Sequence, residues 1–269
     1  MRFYISLLAA VVGLTSSSPG QTQTQTQAQP PIQPQLAAEI TINLAEGVPL
    51  EFVLIHPGTF LMGAPKGADK EKPVHKVTIS KPYYLGKNLI TQEQWQSVMG
   101  KNPSHFKGPK NPVERVSWKD CQAFAKKLHE KDPTHTFRLP TEAEWEYACR
   151  AGSTTEYCYG DAESQLEDYA WFIGNSDNQT HPVGLKKPNA WGLFDMHSNV
   201  WEWCQDWFGP YNSDDATDPV GPASGTGRIW RGGSWDGTAS DCRSARRRNY
   251  DPNFWYMRCG VRMVMTTDS

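Results

Sequence analysis

The chain has 269 residues with 38% apolar and 12% aromatic content, enough for one large or two small domains with a real core. A formal net charge of −2, with no basic stripe interleaved with aromatics, gives no support to a nucleic-acid footprint. Eleven tryptophans and 22 glycines, without any long periodic helix, point to a loop-rich fold in which large rings fill the space between short elements. At the N-terminus, Met1-Arg2, the apolar run Phe3 to Leu14 and Thr15-Ser16-Ser17-Ser18 have the layout of a secretory signal. The run is too short for a permanent bilayer span. Residues 1–20 are therefore expected to be a cleaved signal peptide. Residues 21–37, where Gln alternates with Thr, Ala and Pro, are expected to be a disordered linker. The mature chain is expected to be periplasmic or extracellular with no membrane span. There, disulfides among Cys121, Cys149, Cys158, Cys204, Cys242 and Cys259 are chemically permitted.

The folded part, 38–269, opens with Ile40, Ile42 and Leu44 alternating against Thr41 and Asn43, a half-buried strand. Phe52 to Ile55 reads as a second strand, Pro57 to Gly63 as a turn with a tight glycine corner, and Val74 to Ile79 as a third strand. Met62, Tyr83 and Tyr84 are expected in the core. Thr91 with Gln94 forms a capping box before Trp95 and Val98. Ser117 and Asp120 start a second helix, whose apolar face is Cys121, Phe124, Ala125 and Leu128. A third starts at Thr141, answered by Glu144. The acids Glu142, Glu144 and Glu146 there are accounted for by capping and by pairing with Arg138 or Arg150, without catalysis.

The most concentrated stretch is Trp191 to Trp203. Trp201 and Trp203 alternate as in a strand, which places Glu202 on the opposite side, beside a Ser-Asn turn rich in carbonyls. A hard cation such as calcium takes an all-oxygen set of this kind, whereas the bland reading is a surface Glu between two core indoles.

In order along the chain, Gly58-Thr59-Phe60-Leu61-Met62-Gly63, Thr91-Gln92-Glu93-Gln94-Trp95, Pro112 to Trp118, Arg138 to Arg150, Asn199 to Trp203, Arg231-Gly232-Gly233-Ser234-Trp235 and Gly260-Val261-Arg262 resemble the formylglycine-generating enzyme (sulfatase-modifying factor) family. The resemblance covers about 45–265. It implies a single α+β domain of the C-type-lectin-like variant, loop-rich, with short helices and small antiparallel sheets. It also implies calcium at the turn, with His197, Ser198 and Val200 as backbone ligands and Glu202 as side-chain ligand. Ser198 stands where the family usually has glycine. The family's second calcium ligand falls in Tyr169-Ala170-Trp171-Phe172, where Trp171 cannot serve, which leaves Asn175 and Asp177 as nearby candidates.

The catalytic members resembled hold copper(I) between two cysteines after Gly-Gly-Ser-aromatic and oxidise a sulfatase cysteine to formylglycine. Two thiolates suit copper(I), and one is a poor substitute. Counted from Gly232, the first position is Gly237 and the second Cys242, so the pair is incomplete. The resemblance also suggests a Cys149–Cys242 disulfide, with Cys259 paired to Cys158 or free. Two functions follow. One is an exported, calcium-braced module that binds a protein or small molecule at 236–258, where Phe254, Trp255, Tyr256, Arg246, Arg247, Arg248 and Arg258 are of hot-spot types. The other is a sulfatase-maturing oxidase using Cys242 with Cys259, in which Ser234 places water or oxygen and Trp203 lines the substrate groove.

Overall fold

The computed structural model describes residues 36–267. The expected signal peptide and nearly all of the linker lie outside this range. Strand β1 (Glu39–Ala45) alternates exposed and covered positions as its sequence requires, and pairs antiparallel with β2 (Val48–Ile55). The glycine corner follows β3 (Gly58–Met62): Gly63 has φ +96°, and a Cβ there would come 2.4 Å from the Glu71 carbonyl. Then come β4 (His75–Ile79) and β5 (Tyr83–Gly86), with Met62, Tyr83 and Tyr84 buried.

All three helices begin where the sequence places them. In α1 (Gln92–Met99), α2 (Trp118–Lys131) and α3 (Glu142–Arg150), Thr91, Ser117 and Thr141 accept from the third helical amide. Gln94, Asp120 and Glu144 return the bond. Helices α1 and α2 meet through Trp95 stacked on Phe124, with ring centroids 4.8 Å apart. The remaining strands are β6 (His135–Arg138), β7 (Trp201–Trp207), β8 (Ala216–Thr217), β9 (Arg228–Arg231), β10 (Arg247–Tyr250), β11 (Cys259–Gly260) and β12 (Val264–Thr267).

Among the described residues three small sheets result, ordered β1-β2-β5-β12-β6, β10-β9-β7-β11 and β3-β4-β8. Pairings are antiparallel except β11 with β7 and β4 with β8. The second sheet positions the site. Its strand β7 is covered on both faces, so Trp201 and Trp203 enter the core on one side and Glu202, fully buried, on the other. Among the described residues no helix is long and apolar enough to cross a membrane.

Candidate functional site

The turn before β7 takes left-handed backbone at Asp195 (φ 57°) and Asn199 (φ 72°), residue types that tolerate it. Ser198 is not among the left-handed residues, so serine replaces glycine there without backbone strain. Asn199 fixes the turn by accepting the His181 amide and donating to the His181 carbonyl. His197 is a clamp. Its Nε2 accepts the Cys158 amide at 3.0 Å, so its Nδ1 carries the proton given to the Cys242 carbonyl at 2.8 Å. Ser198 donates to the Trp171 carbonyl.

Glu202 is held by Arg262, through Nε and Nη2, and by Trp145 Nε1 at 2.9 Å. Asp195, equally buried, accepts the Gly184 amide, and burial pushes its carboxyl up to about 6 despite the amide and Arg262. Asp195 thus lies within electrostatic reach of the guanidinium that is bonded to Glu202, beside a turn of backbone carbonyls. Asp195 and Glu202, with the turn carbonyls, are the candidate donors for the expected calcium. Asp195 is the member that sequence reasoning missed, although it lies seven residues before Glu202 in the same stretch. Asn175 and Asp177 do not assemble a comparable set. The Asn175 oxygen accepts the Phe172 amide, Asp177 is exposed, and Lys186 lies 3.9 Å over the Trp171 ring.

After Gly232 and Gly233, both with positive φ, Ser234 is buried and donates to Asp236 at 2.7 Å. Cys242 lies beneath, its thiol on the Thr238 carbonyl at 3.4 Å, and burial pushes its pKa well up. A Cβ on Gly237 would meet the Ser234 carbonyl at 3.1 Å, so the loop is closed tightly where the first copper cysteine would stand. Cys259 belongs to another core cluster. Its thiol donates to the Val116 and Tyr256 carbonyls, and burial raises it to about 12. The expected Cys242–Cys259 copper pair is therefore not assembled, the two thiols lying in separate core clusters with bonds of their own.

The expected disulfides are likewise not formed, since all six cysteines are free. Cys149 donates to the Met196 carbonyl at 3.6 Å rather than bonding to Cys242. Trp203 lines no groove: it is fully buried, its Nε1 bonded to the Val116 carbonyl.

The 236–258 surface divides by residue type. The arginines are largely consumed internally: Arg247 on Glu142, Arg246 on Asp241 and Glu71, Arg248 on Asp241, and Arg258 on Asp236. The aromatics remain outward. Phe254, Trp255 and Tyr256 are 38%, 51% and 39% exposed, with Phe254 stacked on Tyr250 and Arg115 over Trp255 at 4.9 Å.

Residues 43–267 match the model of the sulfatase-modifying factor enzyme 1-like domain. The chain is 32% identical over 263 residues to the chaperone protein LppX of Paenibacillus barcinonensis, covering 80% of this chain and 89% of that protein. It is 34% identical over 191 residues to the formylglycine-generating enzyme of Streptomyces coelicolor, covering 65% of this chain and 59% of the enzyme. Among solved structures, Treponema denticola variable protein 1 superimposes with a TM-score of 0.80 at 33% identity, over 85% of this chain and 99% of that one. The chain belongs to the sulfatase-modifying factor, or formylglycine-generating enzyme, family.

Proposed function

We propose that this domain is an exported binding module of its family, without the copper oxidase reaction, that presents the Phe254–Tyr256 ridge to a protein or small-molecule partner. The observation that carries the reading is the loop after Ser234, where Gly237 is packed against its own turn and Cys242 is a buried thiol bonded to the Thr238 carbonyl. Three adjacent exposed aromatics, two of them beneath a guanidinium, supply rigid contact area of the kind binding hot spots use. The names of two similar proteins, a chaperone and a variable protein, are compatible with a non-enzymatic role.

Calcium belongs to this proposal as a brace. Asp195 and Glu202 would hold it with the carbonyls of His197, Ser198 and Val200, adding rigidity to the turn that carries β7. The second reading, a sulfatase-maturing oxidase with a sulfatase as partner, is favoured by the 34% identity to the Streptomyces enzyme. One experiment separates the two. The purified protein is reconstituted with copper(I), given a peptide bearing Cys-x-Pro-x-Arg, and assayed by mass spectrometry for conversion of cysteine to formylglycine. The expected result is no conversion. Turnover that disappears in Cys242→Ser would overturn the binding-module reading.

A further inference from the structure

A cleft of about 530 Å³ opens between the end of β7, the start of α3 and the 209–222 loop, and none of its lining residues belongs to the Ser234–Cys242 loop or to the aromatic ridge. Its volume is in the range of small-ligand sites, roughly 300–1,000 Å³. Asp206 lines it and is 4% exposed. Its Oδ2 accepts the Glu142 amide at 2.8 Å, and among the described residues no Lys, Arg or His side chain forms an ion pair with it, Arg138 and Arg228 acting on it only at longer range. The other buried charged groups at the cleft are already answered. Glu142 is shared between Arg231 and Arg247, and Arg247 also donates to the Lys70 and Gly209 carbonyls. His75 bonds the Pro73 carbonyl through Nδ1 and packs against Tyr211 with ring centroids 4.8 Å apart.

At the rim stand the exposed carboxylates Asp214 and Asp215, the latter bridged to Lys76. The walls are apolar or aromatic, from Trp207, Pro210, Tyr211, Pro219, Val220 and Pro222. Gly221, at φ +69°, lets the loop lie against the carboxylate, because a Cβ there would come 3.0 Å from the Asp206 Cβ.

We propose that this cleft binds an organic cation carried on an aliphatic stem, as a lysine side chain presents it, with the charge on Asp206 and the stem along the Trp207, Tyr211 and proline walls. A buried carboxylate that lacks a counter-ion is costly, and a cation entering the cleft supplies one. Burial and the like charge of Glu142 hold the Asp206 carboxyl up at about 7, which reflects the same missing partner. A metal ion is a poorer fit, because the walls beside Asp206 are apolar and aromatic rather than rich in oxygen donors.

The test is calorimetric titration of the purified full chain with Nα-acetyl-lysine amide, its norleucine counterpart and 1,5-diaminopentane. The capped lysine is expected to bind at least tenfold more tightly than the norleucine probe. Asp206→Asn, which keeps an oxygen for the Glu142 amide, is expected to weaken it at least tenfold. Should Asp206→Asn not fold, Val220→Arg tests the same point from the exposed rim, by placing a tethered cation in the mouth and blocking the probe. Binding of capped lysine without the diamine assigns the cleft to a peptide-borne side chain, and equal binding assigns it to free amines. Either result carries the site. Equal affinity for the norleucine probe, no binding of either amine, or undiminished binding in folded Asp206→Asn or Val220→Arg overturns the proposal. None of these outcomes bears on the aromatic ridge.

Discussion

Glu114 is fully buried. Its Oε1 accepts the amides of His105 and Phe106, while Oε2 has no partner among the described residues. Desolvation outweighs the two amides and lifts the carboxyl from 4.5 to about 7. A folded-state value above the unfolded one means that the native state prefers the protonated form. The stabilisation is therefore complete below the unfolded value and is lost as pH rises through about 7. Asp195, at about 6, and Asp206, at about 7, have the same sign, so the apo protein is expected to melt at a higher temperature at pH 5.5 than at pH 8.5. Glu114→Gln keeps an oxygen for the two amides and removes the titration. At ~1.4 kcal/mol per pKa unit the Glu114 share is on the order of 3 kcal/mol at most. Thermal unfolding at the two pH values should show the gap narrowed in Glu114→Gln, and an unchanged gap would remove Glu114 from this account.

Helix α3 shows how local and distant information divide. Thr141 and Glu144 are three residues apart, and the box they form closes within one turn, so sequence alone reveals it. Thr141→Ala is expected to cost about 1 kcal/mol in urea unfolding, the usual price of a lost N-cap. The inward acids are another matter. Glu146 sits between Arg150, one turn away, and Arg231, 85 residues away, while Glu142 takes Arg231 and Arg247, the latter 105 residues distant. Spacing identifies the Arg150 partner but carries no trace of the other two. For the same reason, Arg246 to Arg248 read in sequence as a display surface, when their partners Glu71, Asp241 and Glu142 draw them inward. Arg231, fully buried and paired with both acids, is the keystone of this network. Arg231→Met takes one of two guanidiniums from each of two buried carboxylates, which keep Arg150 and Arg247, and is expected to cost about 3 kcal/mol, the lower end of the range for breaking a buried pair. Urea titration checks it, and a loss below about 1 kcal/mol, as surface pairs give, would place the network at the periphery of stability.

At the scale of the whole molecule, alternation revealed single strands such as β1, but the order β10-β9-β7-β11 joins segments that no short-range period links. The fold was legible only through the succession of motifs from Gly58 to Arg262. The same succession pointed to the turn at 197–202 but not to Asp195 or Arg262, whose roles depend on where β7 is buried. That turn ties distant parts together: Arg262 also donates to the Gly86, Lys87 and Phe194 carbonyls, and His197 joins the 158 and 242 segments. A cation held by Asp195 and Glu202 would therefore stabilise the domain globally rather than stiffen one loop. Ligand at a hundred times its dissociation constant adds about 2.7 kcal/mol to a folded state that alone binds it. For a domain of this size each kcal/mol moves the melting temperature by about 2–4 °C, so calcium should raise it by about 5–10 °C over protein stripped with EDTA. Asp195→Asn should abolish most of that rise while leaving the stripped protein at least as stable at pH 8, because it removes a buried charge that lacks a full counter-ion. Magnesium, smaller and reluctant to shed water, should give a much smaller shift. A melting temperature indifferent to calcium in both proteins would mean that Arg262 alone answers Glu202, and that the turn is braced by its own ion pair.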